Sequence, residues 1–251
     1  MSVVIPLDLM VNIAFPFFPG LFGQMPLILD FRLLIFIAPA LILGMVAQMM
    51  VRSAYSRGSQ VAARMSGYAA ARRVLDSAGL FEVGIEQTPG RLSDHYDPRA
   101  KVLRLSGEVY HGRSMAAVGI ATHEAGHALQ DAHRYLPLVI RNAAVPAASF
   151  GSNAGIVLLM LGVIFQLEPL LLFGIILFAA VVFFQVVNLP VEFNASARAK
   201  RQLVELGIVP DQEMRYVNRV LNAAALTYVA ATLQAILTLL YYIMRYSGSR
   251  R

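Results

Sequence analysis

The 251-residue chain has no cysteine, which excludes a secreted fold stapled by disulfides. It is also short of charge. Asp, Glu, Lys and Arg make up 14% of the residues against 57% hydrophobic, whereas a soluble domain carries about 25% charged and 45–50% apolar residues. The few charges fall into two blocks, separated by apolar runs too long for a soluble core. No internal repeat or low-complexity segment is present, and disordered and collagen-like classes are excluded with them. What remains is an integral membrane protein with a modest extramembrane part.

Four uncharged runs approach or exceed the roughly 20 apolar residues that span a bilayer: Leu33–Val51, Ala143–Leu167, Pro169–Val191 and Val220–Met244. Little more than Glu168-Pro169 separates the second from the third, which predicts a tight helical hairpin. The apolar stretch Val3–Gln24 contains Asp8, Pro6, Pro16 and Pro19 and reads as an interfacial or re-entrant piece. It lacks the positive start and small-residue cleavage site of a signal peptide. The expected organisation is an apolar N-terminal segment (1–32) and a first transmembrane helix (33–51), then a polar domain (52–142) and a transmembrane hairpin (143–189). A helical segment (190–219), a fourth transmembrane helix (220–244) and a basic tail (245–251) complete it.

The net charge of +6 is a statement about topology. With four crossings, 52–142 and 190–219 lie on one side and carry twelve and five basic residues, seventeen of the 21 in the chain. The others are Arg32, Arg245, Arg250 and Arg251. The positive-inside rule puts the polar blocks in the cytoplasm and both termini outside. No aromatic-basic module accompanies the charge, so nucleic acid is not an expected partner. Within the first block, Gln60–Ala78 predicts a helix stopped by Gly79, Phe81–Glu86 a strand, Gln87–Gly90 a turn and Lys101–Ser106 a second strand. Ser114 is placed to cap a helix running to about Ala132. In the second block a helix near Asn194–Leu206 stops at Gly207, and Pro210-Asp211 starts a long helix into the last span.

The strongest chemical signal is His123-Glu124-Ala125-Gly126-His127. Residues four apart share a helix face, so His123 and His127 can offer imidazole nitrogens to one zinc ion, with Glu124 beside its water as general base. Two residues compete for third ligand. His133 nearly completes a metzincin pattern, but Gln130 stands where that pattern has its turning glycine. On an unbroken helix His133 lies about 15 Å along the axis from His123, which favours a plain helix-end role. Glu192 follows the third span and returns to the side of the motif. A carboxylate at that boundary needs water, a partner or a metal, and a solvated helix-start residue fits equally well.

In the loop before the second strand, Asp94, His95, Tyr96 and Asp97 cluster. His95 or Tyr96 is a candidate hydrogen-bond donor to an oxyanion or substrate, while turn chemistry around Asp97-Pro98 is the simpler account. Tyr110 and His111 are weaker candidates.

The run Arg91-Leu92-Ser93-Asp94-His95-Tyr96-Asp97-Pro98, then Val102-Leu103-Arg104-Leu105-Ser106, then Ser114 and Ala121 to Gln130 around the zinc motif resembles the YugP-type membrane zinc metallopeptidases. The later Leu189-Pro190-Val191-Glu192-Phe193-Asn194-Ala195-Ser196 does too, so the match covers most of 66–196. The resemblance implies a neutral zinc peptidase of bacterial membranes acting on peptide or protein substrates. It implies His123, His127 and Glu192 as zinc ligands and Glu124 as catalytic acid/base. A more distant likeness to gluzincin membrane proteases such as the HtpX-like enzymes implies a mainly α membrane protein with a small α+β zincin-like domain. That analogy makes Lys101–Ser106, with Val102 and Arg104, a candidate edge strand holding extended substrate, and plain sheet structure is the competing account. Ser196 replaces the aspartate of the gluzincin third-ligand helix, leaving the support of the histidines unassigned. Two alternatives stand beside the protease reading. One is a non-proteolytic metal-binding scaffold. The other is site-2-type intramembrane proteolysis, which conflicts with the charged residues of 107–142 and with spans lacking an aspartate motif.

Overall fold

The computed structural model describes residues 31–248; the N-terminal segment expected at 1–32 lies almost wholly outside the described residues, as do 249–251 of the tail. Helix α1 (Phe31–Ser59) outlasts its apolar run, and its polar end reaches the extramembrane part, where the Tyr55 hydroxyl donates to Glu108 at 2.9 Å. Helix α2 (Gly67–Ser77) begins later than the expected Gln60. The hydroxyl of Ser66 caps it by accepting from the Ala69 N–H, and the preceding backbone is drawn into pairing with the entry to the zinc-motif helix, as in Ala63 N–H to Arg113 C=O at 2.9 Å.

Three strands follow: β1 (Gly84–Thr88), β2 (His95–Asp97) and β3 (Val102–Ser106), in the spatial order β1-β3-β2. β1 runs parallel to β3 with Gly84 opposite Val102, and β2 runs antiparallel with Tyr96 opposite Leu103. β1 starts after the expected Phe81 because Arg72 clamps the carbonyls of Leu80 and Val83, at 2.7 and 2.6 Å, and holds that stretch as a turn. The cluster around His95 is a short strand, not a loop. Most consequentially, β3 is the central strand. Val102 and Arg104 are paired on both sides, so this strand has no free edge for substrate, and Arg104 is occupied by Asp97 at 2.8 Å and Glu86 at 3.4 Å. The expectation of an edge strand there is corrected: the strand at the edge beside the zinc motif is β2.

After the single turn α3 (Gly107–Tyr110) comes α4 (Met115–Ala132), which Ser114 caps as expected, accepting from Ala117 N–H at 3.2 Å. α4 is the axis of the main core: Val118, Ala121, Ala125 and Leu129 pack among Val74, Leu75, Leu103, Leu105, Leu203 and Val217. Burying these side chains at about 25 cal/mol per Å² fixes the sheet on one flank of α4.

The rest is long apolar helix. α5 (Leu136–Phe150), a π turn (Gly151–Gly155) and α6 (Ile156–Ile164) form one rod, followed by α7 (Glu168–Glu205) and α8 (Met214–Gly248). With α1 these give four helices long and apolar enough to cross a membrane. α1 packs along α8, α8 along α7, and the α5–α6 rod against α7, while α4 docks on α7 and α8. The helix expected at Asn194–Leu206 is the end of α7, which continues through Pro190. Proline removes one backbone bond, and packing from both flanks keeps the helix running. At 1.5 Å per residue α7 is about 57 Å long, against a hydrocarbon core of about 30 Å. Glu192 therefore stands about 36 Å from the Glu168 end, farther than that core is thick. The helix ends as expected at Gly207, whose φ of 59° lets Ile208 N–H return to Leu203 C=O at 3.0 Å.

Candidate metal centre

His123 and His127 lie one turn apart on the α4 face turned to α7, with ring centroids 4.9 Å apart and planes at 83°. Their Nε2 atoms approach Glu192 Oε2 at 3.3 and 3.7 Å. The ligating atoms of the three residues all lie within 4.8 Å of one another. Each histidine is held from behind. His123 Nδ1 meets Ser196 Oγ at 3.1 Å and His127 Nδ1 meets Gln130 Oε1 at 3.0 Å. An Nδ1–H donating to these oxygens leaves each Nε2 lone pair facing Glu192. Gln130 also donates from its amide nitrogen to Val191 C=O at 2.8 Å and Asn194 Oδ1 at 3.1 Å, fastening α4 to α7. Glu192 Oε2 is buried without a hydrogen-bond partner. Two oriented imidazoles and an unsatisfied buried carboxylate oxygen are the donor set of a divalent nitrogen/oxygen site, and zinc fits it.

The helices come this close because of Gly126. A Cβ there would meet the Ala195 carbonyl oxygen at 2.6 Å, a backbone atom that cannot swing aside. The second small residue of the motif, Ala125, is fully buried in the core.

Glu124 is 9% exposed. Burial pushes its pKa up to about 7; the positive pull of His123 opposes this, and the charges of Asp94 and Glu192 add to it. Glu124 and Tyr96 line one cavity, so β2 runs beside the general-base candidate. His133, by contrast, is the C-cap of α4. Its Nδ1 bonds the Leu129 carbonyl at 2.6 Å, and the chain then turns at Arg134 (φ 49°) into α5, so the structure does not bring it to the cluster.

A cavity of about 160 Å³ opens beside these residues, between β2 and the membrane helices. His95 and Tyr96 both line it. His95 Nδ1 is bonded to Ser93 C=O at 2.8 Å. The Tyr96 hydroxyl is committed to Asp131 at 2.8 Å, and burial and that carboxylate hold its pKa far above the ordinary tyrosine value. What Tyr96 offers the cavity is its backbone. Tyr110 and His111 meet edge to face with ring centroids 4.8 Å apart and do not line the cavity. Sequence reasoning missed Tyr228 of α8, which lines the cavity with Glu192, because nothing distinguishes it within an apolar run. It also missed the partnerships of Gln130 and Ser196. Their spacings, three after His127 and four after Glu192, were the available signal.

A family model described as "Putative neutral zinc metallopeptidase" matches residues 33–247. A curated relative, the "Putative membrane protease YugP" of Bacillus subtilis (strain 168), is 46% identical over 213 residues, covering 84% of this chain and 95% of the relative. No solved structure matches. The family match takes in all four long apolar helices, the sheet and the His123/His127/Glu192 cluster alike. The chain belongs to the family that this model describes.

Proposed function

We propose that the protein is an integral-membrane zinc endopeptidase, its metal held by His123, His127 and Glu192, working at the cytoplasmic face of a bacterial cytoplasmic membrane. The observation that carries the reading is the convergence of three donors from two helices, beside a buried glutamate and an open cavity. When bound, zinc supplies a Lewis acid for the scissile carbonyl and lowers the pKa of water toward about 7. Glu124 accepts the proton of the attacking water on its carboxylate and returns it to the departing amide nitrogen. Its elevated affinity for protons suits that exchange near neutral pH. β2 turns its unpaired edge to the cavity, where an extended peptide can add as a further strand. His95 is the side chain on that strand left to contact substrate, and Tyr228 brings a second hydroxyl-bearing side chain to the cavity.

Support for the membrane side comes from the basic residues of both polar blocks. The test is chelation of the purified full-length protein with an unfolded protein as substrate. Cleavage is expected to stop on chelation and return with zinc. Cleavage that ignores the chelator overturns the reading, and metal binding without any cleavage favours a non-proteolytic scaffold.

A further inference from the structure

One charged side chain in the cavity has no part in the chemistry above. Arg141, on the second turn of α5, lines the same cavity as His123, Glu124, His127 and Glu192. Its Nε is buried and has no hydrogen-bond partner, and no ion pair reaches it among the described residues. The carboxylates of the cavity are engaged elsewhere. Asp94 accepts from the Ser106 N–H and hydroxyl at 2.8 and 3.1 Å, Glu192 faces the imidazoles, and Glu124 stands on α4 as the general-base candidate.

Arg141 is turned inward. Leu136, Val139 and Ile140 form the exposed face of this part of α5, while Leu138, three residues before Arg141 and on the same face, is 2% exposed and also lines the cavity. Arg141 and Tyr228 line the same cavity as His123, His127 and Glu192, so the guanidinium shares that space with the metal centre. A buried guanidinium nitrogen with an unmade bond is costly until a partner completes it, and the planar fork of the group matches a carboxylate.

We propose that Arg141 anchors a carboxylate of the bound peptide, either an acidic side chain or the free C-terminus near the scissile bond, and that the enzyme thereby selects anionic peptides. This rests on the protease reading, and it is tested on a chain that cannot cleave. Full-length, zinc-loaded Glu124→Gln protein is titrated with one labelled peptide in three forms. The first has an internal Glu and an amidated end, the second Gln and a free C-terminal carboxylate, and the third Gln and an amidated end.

One carboxylate form is expected to bind about ten- to a hundredfold tighter than the neutral form, the size of a charge-assisted hydrogen bond. Which form wins identifies the carboxylate, and a win for the free C-terminus replaces the endopeptidase reading with a C-terminal exopeptidase. Adding Arg141→Gln is expected to erase the advantage while zinc content and neutral-peptide affinity change less than about twofold. Arg141→Lys, which keeps the charge without the fork, is expected to retain part of it. Equal affinities for all three forms overturn the proposal. So does a preference that survives Arg141→Gln, or a variant whose only change is loss of co-purifying anionic lipid. A carboxylate preference in a protein whose wild type never cleaves would leave the anchor standing and remove the protease reading instead.

Discussion

Ser196 and Gln130 never touch a metal in this architecture, yet they decide which nitrogen each histidine presents. A ligating imidazole that loses its Nδ1 partner rotates more freely and is less basic, and such losses lower metal affinity about 10- to 100-fold. Ser196→Ala and Gln130→Leu are each expected to weaken zinc by that order, read by competition with a calibrated chelator. Gln130→Leu is the more severe because it also frees α4 from Val191 and Asn194; unchanged affinity in both contradicts the assignment. Glu192→Ala is expected to lose zinc and His133→Ala to keep it, and the reverse pattern would make His133 the ligand. The histidine pair and Glu124 were legible because helical spacing alone puts them together. Glu192 was legible only as one of two candidates, since nothing local says that a hairpin later the chain returns to the same spot. Tyr228 and Arg141 were invisible as site residues because the cavity they line is walled by several separate elements.

At the scale of elements, the site is a packing problem between α4 and α7. Gly126→Ala gains up to about 1 kcal/mol of helix propensity, but its Cβ meets backbone oxygen at 2.6 Å, and overpacking of that kind costs typically 1–3 kcal/mol. The steric cost wins. The variant is expected to melt lower and bind zinc more weakly as α7 is pushed back. An equal melting temperature with full zinc affinity would mean that the contact yields freely. The start of α4 at Ser114 and its end near Ala132 were readable from capping and spacing. β2 was not, because its three residues are framed by turn-forming aspartates and its pairing comes from β3. Strand order is likewise absent from local sequence, which is why the edge was expected at Val102–Ser106 and is found at His95–Asp97. Pro190 hid the continuity of α7 by the same logic: a local breaking signal was overridden by tertiary packing.

For the whole molecule, the few charges predict an orientation, and two helices, α4 and α7, bring the metal cluster together. The four apolar helices and the absence of cysteine make the topology directly measurable. Single substitutions Ser59→Cys and Glu205→Cys, at exposed ends of α1 and α7, are expected to react with an impermeant thiol reagent only from the cytoplasmic side. Gln166→Cys, in the exposed turn between α6 and α7, is expected to react only from outside. Labelling of positions 59 and 166 from the same side would contradict the four-crossing arrangement. That arrangement matters because it returns α7 to α4 and completes the metal cluster with Glu192, beside a glutamate buried enough to hold a proton near pH 7. The most direct test is zinc content and peptide cleavage measured on the same preparations of wild-type and Glu124→Gln protein. The account predicts about one zinc per chain in both and a cleavage rate about 10²–10⁴-fold lower in the variant; a zinc-loaded Glu124→Gln protein that cuts at the wild-type rate would contradict it.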